Sequence, residues 1–257
     1  MFDPRVAVAS LSGESDSVWA TRAAPHVGCA FLGGIALDDP TRRAARRLVE
    51  RDRTEFRPPD PVAFVDDQLS ALDGVDVLPA FNVRSVALEP VSEVAVVCAD
   101  HGALVEINAH CRQDEMCAVG AGESLLRDAE RLEAQVETAA AAGATVSVKV
   151  RTEVSGVDLP SLCERLVSAG ATVLHIDAMD SEPAVRDVRK AAPDAFVVAN
   201  NGVRDRTTAH EYLRLGADAV SVGRPSDRPD VLSRVREAVD EWFESDTTLD
   251  EEVPPDA

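Results

Sequence analysis

The sequence predicts an α/β chain folded as one (β/α)8 (TIM) barrel domain. Short apolar runs alternate with helical segments from one end to the other, the pattern of a parallel sheet wrapped by helices. Eight such runs fall between Val6 and Gly223, more than the roughly five or six strands usual for an open doubly wound sheet. The length, 257 residues, matches one barrel of about 250 residues.

The eight expected strands are Val6–Ser10, Cys29–Gly33, Leu78–Asn82, Leu104–Asn108, Val146–Val150, Val173–Asp177, Phe196–Asn200 and Ala219–Gly223. Each is a short hydrophobic run ending in Gly, Asn, Ser, Asp or close to a charged residue. Between them, Asp39-Pro40 opens a helix over Thr41–Arg51, Pro61 opens one over Val62–Leu72, and Asp158-Leu159-Pro160 opens one over Ser161–Ala169. A further helix is expected to start near Leu125, after Gly120 and Gly122. Gly74, Gly102, Gly143, Gly170 and Gly216 lie just past expected helices, where a left-handed cap favours glycine. The stretch Glu50 to Pro61 has three prolines and several charges and is long for a connection, so it is expected to project over the barrel mouth. The barrel accounts for residues 1–243; residues 244–257 hold six acids, no basic residue and two adjacent prolines, and read as an acidic disordered tail.

Net charge is −20, with two lysines, Lys149 and Lys190, and acidic residues spread along the whole chain. A dense carboxylate surface of this kind keeps a protein soluble in a high-salt, halophile-like cytoplasm and opposes generic nucleic-acid binding at low salt, so any RNA contact must be local. One local exception is the arginine cluster Arg42, Arg43, Arg46, Arg47 and Arg51 on one helix, followed by Arg53 and Arg57. It reads either as a phosphate-facing surface or as an arginine face paired with neighbouring acids. No apolar run reaches about 18 residues, and the N-terminus lacks the basic-then-apolar pattern of a signal peptide, which points to a cytoplasmic protein without a membrane partner. The five cysteines are scattered without a CxxC pair, arguing against a disulfide framework and a zinc ribbon. His110, Cys111 and Cys117 offer three donors in one loop with no fourth nearby, so no metal site is expected.

The chemistry concentrates at the expected strand ends. Asn108-Ala109-His110-Cys111 leaves the strand Leu104–Asn108, and Gly120 and Gly122 then allow a tight backbone path. Taken alone, Cys111 is also compatible with an inert buried thiol. Asn82, Lys149, Arg151, Asp177, Asn200, Gly202, Gly223 and Arg224 come from other strands but would ring the same mouth. Lys149 stands in an apolar strand, where its ammonium needs either a bound anion or an internal partner such as Glu106 or Asp177. Asn200-Asn201-Gly202 and Gly223-Arg224 follow the last two strands, where barrels place a phosphate site.

From Leu78 to Arg224 the chain resembles the flavin-binding core of the tRNA-dihydrouridine synthases, a barrel family similar to the dihydroorotate and dihydropyrimidine dehydrogenases. Asn108, Cys111, Gly120, Gly122, Leu125 and Leu126 match the spacing of that family's Asn-x-Gly-Cys-Pro motif and the Gly-x-Gly and Leu-Leu pair after it. Val146–Arg151 is similar to its Val-x-Val-Lys-x-Arg strand, Asn200–Val203 to its Asn-Gly-x-Ile loop and Gly216–Arg224 to its Gly-Ala-Asp-x-Val-x-x-Gly-Arg ending. The chain departs from the pattern at His110 and Arg112, which stand where the family has Gly and Pro, and at Glu115, where it has Lys. Asp177-Ala178-Met179 stands in place of His-x-Arg, with His175 two residues earlier on the same strand face. The resemblance is weak over the first 75 residues, and 33 residues follow Arg224, too few for the helical domain with which those synthases hold tRNA.

The resemblance implies FMN over the barrel mouth, with NAD(P)H as electron donor. Lys149 would lie near the electron-rich edge of the flavin, Asn82 and Asp177 would contact it, and Asn200, Gly202, Gly223 and Arg224 would hold its phosphate. Cys111 would give a proton to C5 of a uracil ring while the flavin delivers hydride to C6, and Asn108 would orient that cysteine. Thiols release protons more readily than hydroxyls, which suits this role. The implied reaction is dihydrouridine formation in tRNA. Two other activities fit the same residues: flavin-dependent oxidation or reduction of a free pyrimidine or other small molecule, and a non-catalytic barrel that binds FMN or a phosphorylated ligand.

Overall fold

The structure, a computed structural model, describes residues 1–250, with side chains through residue 245. Eight parallel strands close into a barrel in chain order: β1 (Val6–Val8), β2 (Cys29–Ala36), β3 (Leu78–Arg84), β4 (Leu104–Asn108), β5 (Thr145–Arg151), β6 (Ala171–Asp177), β7 (Phe196–Asn200) and β8 (Ala219–Val222). Pairing of β1 with β8, Val8 opposite Val222, closes the ring. The expected (β/α)8 architecture is therefore present, and β4 and β7 coincide with their expected spans. β2 runs to Ala36 rather than Gly33 because the register shifts between Gly33 and Ile35, letting the strand continue beside β3 to Arg84.

The helices are α1 (Ser17–Ala23), α2 (Asp39–Val49), α3 (Pro61–Ser70), α4 (Glu89–Asp100), α5 (Asp114–Cys117), α6 (Ala129–Ala141), α7 (Leu159–Ser168), α8 (Ala184–Ala191), α9 (Arg206–Arg214) and α10 (Pro229–Asp250). Part of the large acidic content serves as caps: Asp16, Asp38, Asp60, Asp128, Asp158 and Asp205 each accept a backbone N–H in the first turn of the following helix. All five glycines placed past expected helices have positive φ. The helix expected near Leu125 starts later. Gly122–Arg127 is a 3-10 turn that buries Leu125 and Leu126, and α6 begins only after Asp128 caps it. The Leu-Leu pair thus plugs the core instead of opening a helix. The stretch from Glu50 reaches the barrel mouth, where Arg53 stands, and is tied down there: Glu55 is buried in a 2.7 Å ion pair with Arg84, and Arg42 donates to the carbonyl of Pro58 at 2.9 Å. Glu244, where the acidic tail was expected to start, lies in α10, whose backbone stays helical to Asp250; residues 251–257 lie outside the described residues.

Side chains alternate along each strand, so every second residue enters the barrel. The interior is layered. Phe2, Phe31, Ala80, Leu104, Val173 and Val198 belong to an apolar cluster at the floor. Two residues further along the strands stand Asn82, Glu106, Ser147, His175 and Ser221, all buried. Another two residues bring Arg84, Asn108, Lys149 and Asp177 to the rim, with Arg151 two beyond Lys149. This gradient from apolar floor to ionic rim positions the site.

Candidate functional site

A cavity of about 700 Å³ opens at the C-terminal ends of the strands. Its wall includes Asn108, Cys111, Lys149, Asp177, Asn200, Gly202, Gly223 and Arg224, so eight of the nine site residues expected from the sequence meet there. Asn82 is the exception, because it lies fully buried one layer below. Among the described residues, seven cations line the wall, Arg53, Arg84, Arg112, Lys149, Arg151, Arg204 and Arg224, against one carboxylate, Asp177. In a chain of net charge −20, such a concentration makes the mouth a local anion trap.

The Cys111 loop is shaped by the residues whose spacing marked it. Asn108 ends β4, and its Oδ1 accepts from the backbone N–H of Cys111 at 3.0 Å and of His110 at 3.3 Å. Asn108 Nδ2 donates to Asn82 Oδ1 at 2.8 Å, which fixes the amide's orientation. On the other side, the carbonyl of Cys111 accepts from the N–H of Glu123 at 2.8 Å. That approach needs Gly122, whose φ is +64° and where a Cβ would lie 2.3 Å from the Cys111 carbonyl oxygen. Beyond Cys111, Met116 of α5 packs into Ala44, Ala45 and Leu48 of α2, seating the loop against the barrel. Neither His110 nor Arg112 is needed for this path.

His110 instead reaches across to β6, with Nδ1 3.4 Å from Asp177 Oδ2. Burial and the nearby Lys149 ammonium push its pKa down to about 4, outweighing Asp177. Near neutral pH the imidazole is therefore uncharged, with Nδ1–H facing the carboxylate and Nε2 left as acceptor. Burial alone would raise the Asp177 pKa, but His110, Lys149 and Arg151 hold it below the usual value.

Lys149 is 2% exposed, and among the described residues its ammonium makes neither a hydrogen bond nor an ion pair within 4.0 Å. Burial lowers its pKa, opposed by the fields of Glu106 and Asp177. Below it, the Glu106 carboxylate accepts from Asn82 Nδ2 at 2.6 Å and Ser147 Oγ at 3.2 Å, and lies 2.7 Å from His175 Nδ1. His175 Nε2 meets Ser221 Oγ at 2.7 Å, and Asn200 Nδ2 donates to the same hydroxyl at 2.7 Å. One buried chain of hydrogen bonds thus joins the Cys111 loop to the β7 and β8 ends. His175 is part of this support and does not line the mouth. Burial would raise the Glu106 pKa, but His175, Lys149 and Asn82 keep it low, so the layer holds a carboxylate beneath the Lys149 ammonium.

Two arginines flank these groups at the ends of β3 and β5. Arg84 pairs with Glu55, touches Ser12 and leaves Nε buried without a partner. Burial works against its charge, while Glu55 and then Cys111 raise its pKa, which places the thiol within its electrostatic reach. Arg151 pairs with Glu123 at 3.1 Å and likewise leaves Nε unpartnered. At the β7 and β8 ends, Gly202 has φ +67°, and a Cβ on Gly223 would meet nothing within 4 Å. Arg224 beside it is exposed. Sequence reasoning left Glu106 as a bare ion-pair option and passed over Arg84 and Ser221. For two of them the signal was there: Glu106 lies two residues from Asn108 and Arg84 two from Asn82, on the interior face of an apolar strand; Ser221, between Ala219 and Gly223, carried none.

Fold and site together define a (β/α)8 barrel whose polar groups converge on one cationic mouth. The chain belongs to the dihydrouridine synthase (Dus) family, whose model matches residues 83–253. It is 30% identical over 231 residues to tRNA-dihydrouridine synthase B of Xanthomonas axonopodis pv. citri, covering 82% of this chain and 69% of that protein. It is 25% identical over 236 residues to the uncharacterized protein MJ0144 of Methanocaldococcus jannaschii, covering 87% of this chain and 89% of that one. Among solved structures, thiamine phosphate pyrophosphorylase from Pyrococcus furiosus superimposes with a TM-score of 0.54 over 92% of this chain and 96% of its own, at 13% identity. At that identity the likeness speaks for the barrel alone.

Proposed function

We propose that the chain is an FMN-dependent oxidoreductase that reduces the C5–C6 double bond of uridine in tRNA, with NAD(P)H as electron donor and the cytoplasm as its place of action. The observation that carries this reading is Lys149: a side chain buried along its length, whose ammonium reaches the cavity wall without a hydrogen-bonded or ion-paired partner among the described residues, calls for an electron-rich ligand. The residues fit FMN on structural grounds. The open cradle at Gly223, with Gly202 and exposed Arg224 beside it, suits a phosphate, and Lys149 suits the electron-rich edge of the ring system. Asn200 acts mainly by tying β7 to Ser221, and Asn82 acts from below through Asn108. When bound and reduced, the flavin supplies the hydride that C6 receives.

The chain's own residues handle the proton. Cys111 donates its thiol proton to C5, and the positive charge of Arg84, on the same cavity wall, favours the thiolate that remains. Asn108 holds the backbone N–H of Cys111 and so aims the thiol. His110, neutral and anchored by Asp177, presents an acceptor to the cavity. The cationic rim draws in the phosphates of the RNA.

Two measurements test the reading. The purified protein should be yellow, absorbing near about 450 nm as bound oxidised flavin does. Mass analysis of tRNA from a deletion strain should show a dihydrouridine missing, restored by wild type, while Cys111→Ala binds flavin normally but restores activity at least about 100-fold less well. An unchanged tRNA profile in the deletion strain would exclude the tRNA substrate.

A further inference from the structure

We infer that the outward face of α2 and the loop after it form an RNA phosphate-docking surface that delivers the strand to the barrel mouth; this rests on the tRNA reading above. From Arg42 to Arg57 the chain carries seven of its arginines against three acids, Glu50, Asp52 and Glu55. The neighbouring acids do not neutralise them. Among the described residues Arg46, Arg53 and Arg57 make no ion pair, Glu55 is consumed by Arg84, and Arg43 has only an exposed Asp39 at 3.9 Å. Glu115 is held by Arg51 at 2.5 Å, and among the described residues Arg47 has no ion pair of its own.

The arrangement also works against the helix. Arg42 and Arg46, and Arg43 and Arg47, are like-charged pairs four residues apart within α2, which repel along a helix face. Polyanion binding converts that repulsion into attraction. Between α2 and the loop lies a cavity of about 210 Å³ walled by Arg42, Arg46 and Arg57, with half-buried Phe56 at its side. It offers guanidinium groups for a phosphodiester and an aromatic ring beside them.

Position ties the surface to the site. The inward face of α2, Ala44, Ala45 and Leu48, packs on Met116 just beyond Cys111. Arg53 and Arg112, both exposed, continue the cationic path from α2 into the mouth. A strand lying along the arginines therefore arrives beside Cys111.

The test compares the R46A/R47A/R57A variant with a charge-matched control, R22A/R186A/K190A, which removes three exposed cations on α1 and α8. Binding of an in-vitro tRNA transcript to the flavin-loaded protein is followed by fluorescence anisotropy across a KCl series. The α2 variant should bind about tenfold or more weakly, with a slope of log Kd against log salt shallower by roughly two units, while its melting temperature and flavin content match the control. Equal affinities for the two variants, or no transcript binding by wild type, would overturn the surface. Displacement of the transcript by polyglutamate at equal charge concentration would reassign it to an acidic polypeptide and overturn it too. The reaction is read separately: RNA binding through α2 without dihydrouridine formation sinks the reaction and leaves the surface standing, and normal turnover with an unimpaired α2 variant does the reverse.

Discussion

Single residues show how this site reconciles charge with burial. Lys149 would be costly in a closed core; it is tolerated because Glu106 and Asp177 supply opposing fields while its ammonium stays on the cavity wall. His110 carries a measurable cost. Its pKa, depressed to about 4 by burial and Lys149, means that between about pH 6.5 and pH 4 the unfolded chain takes up a proton the folded chain refuses. Stability therefore rises with pH across that window and is lost as pH falls. With the side chain still 26% exposed, the loss should come to ~1–2 kcal/mol. Thermal melts from pH 4 to 7 should show a flatter curve for His110→Gln than for wild type; parallel curves would remove His110 from this role. The sequence already marked Cys111, Lys149 and Asn108, because a cysteine after an Asn-ended strand and a lysine inside an apolar one are visible without coordinates. The partnership of His110 with Asp177 was not visible, since it joins residues 67 positions apart whose meeting depends on barrel closure.

Local elements turn the motif into a shaped loop. Gly122 is the point where this depends on one missing atom, since a Cβ there would strike the Cys111 carbonyl and φ is already left-handed. Gly122→Ala should cost roughly 2–3 kcal/mol and displace Cys111. Calorimetry would then show a lowered melting temperature together with lost turnover, and a variant that melts and turns over like wild type would show that the loop is not so confined. Most elements were legible because strand length, Asp caps and C-terminal glycines are local signals: β4 and β7 came out at their expected ends, and the five cap glycines all have positive φ. The start of α6 was misplaced because Leu125 and Leu126 look like the first turn of an amphipathic helix, whereas core packing uses them as a plug in a 3-10 turn. The stretch from Glu50 does reach the barrel mouth, where Arg53 lines the cavity, but its anchor was not visible, because Glu55 is consumed by Arg84 of a strand 29 residues away.

Across the whole molecule, net charge sets the terms on which the barrel is stable. A charge of −20 repels itself most when the Debye length is long, about 10 Å at 0.1 M salt against about 3 Å at 1 M. The melting temperature should therefore climb by ~5 °C or more between those concentrations, and a constant or falling value would show that ion pairs and caps already absorb the repulsion. The same acidity makes the cationic mouth informative, because seven positive residues around one cavity run against the composition of the chain. By itself, the sequence determined the barrel, the order of its strands and most of the residues that meet at its rim, since strand periodicity and end residues are read locally and a closed parallel barrel brings all its strand ends to one face. Only the tertiary structure decided which of those residues face the cavity and which brace it from beneath, placing Asn82 and His175 below and Arg84 on the wall, because that depends on strand register and on partners distant in sequence.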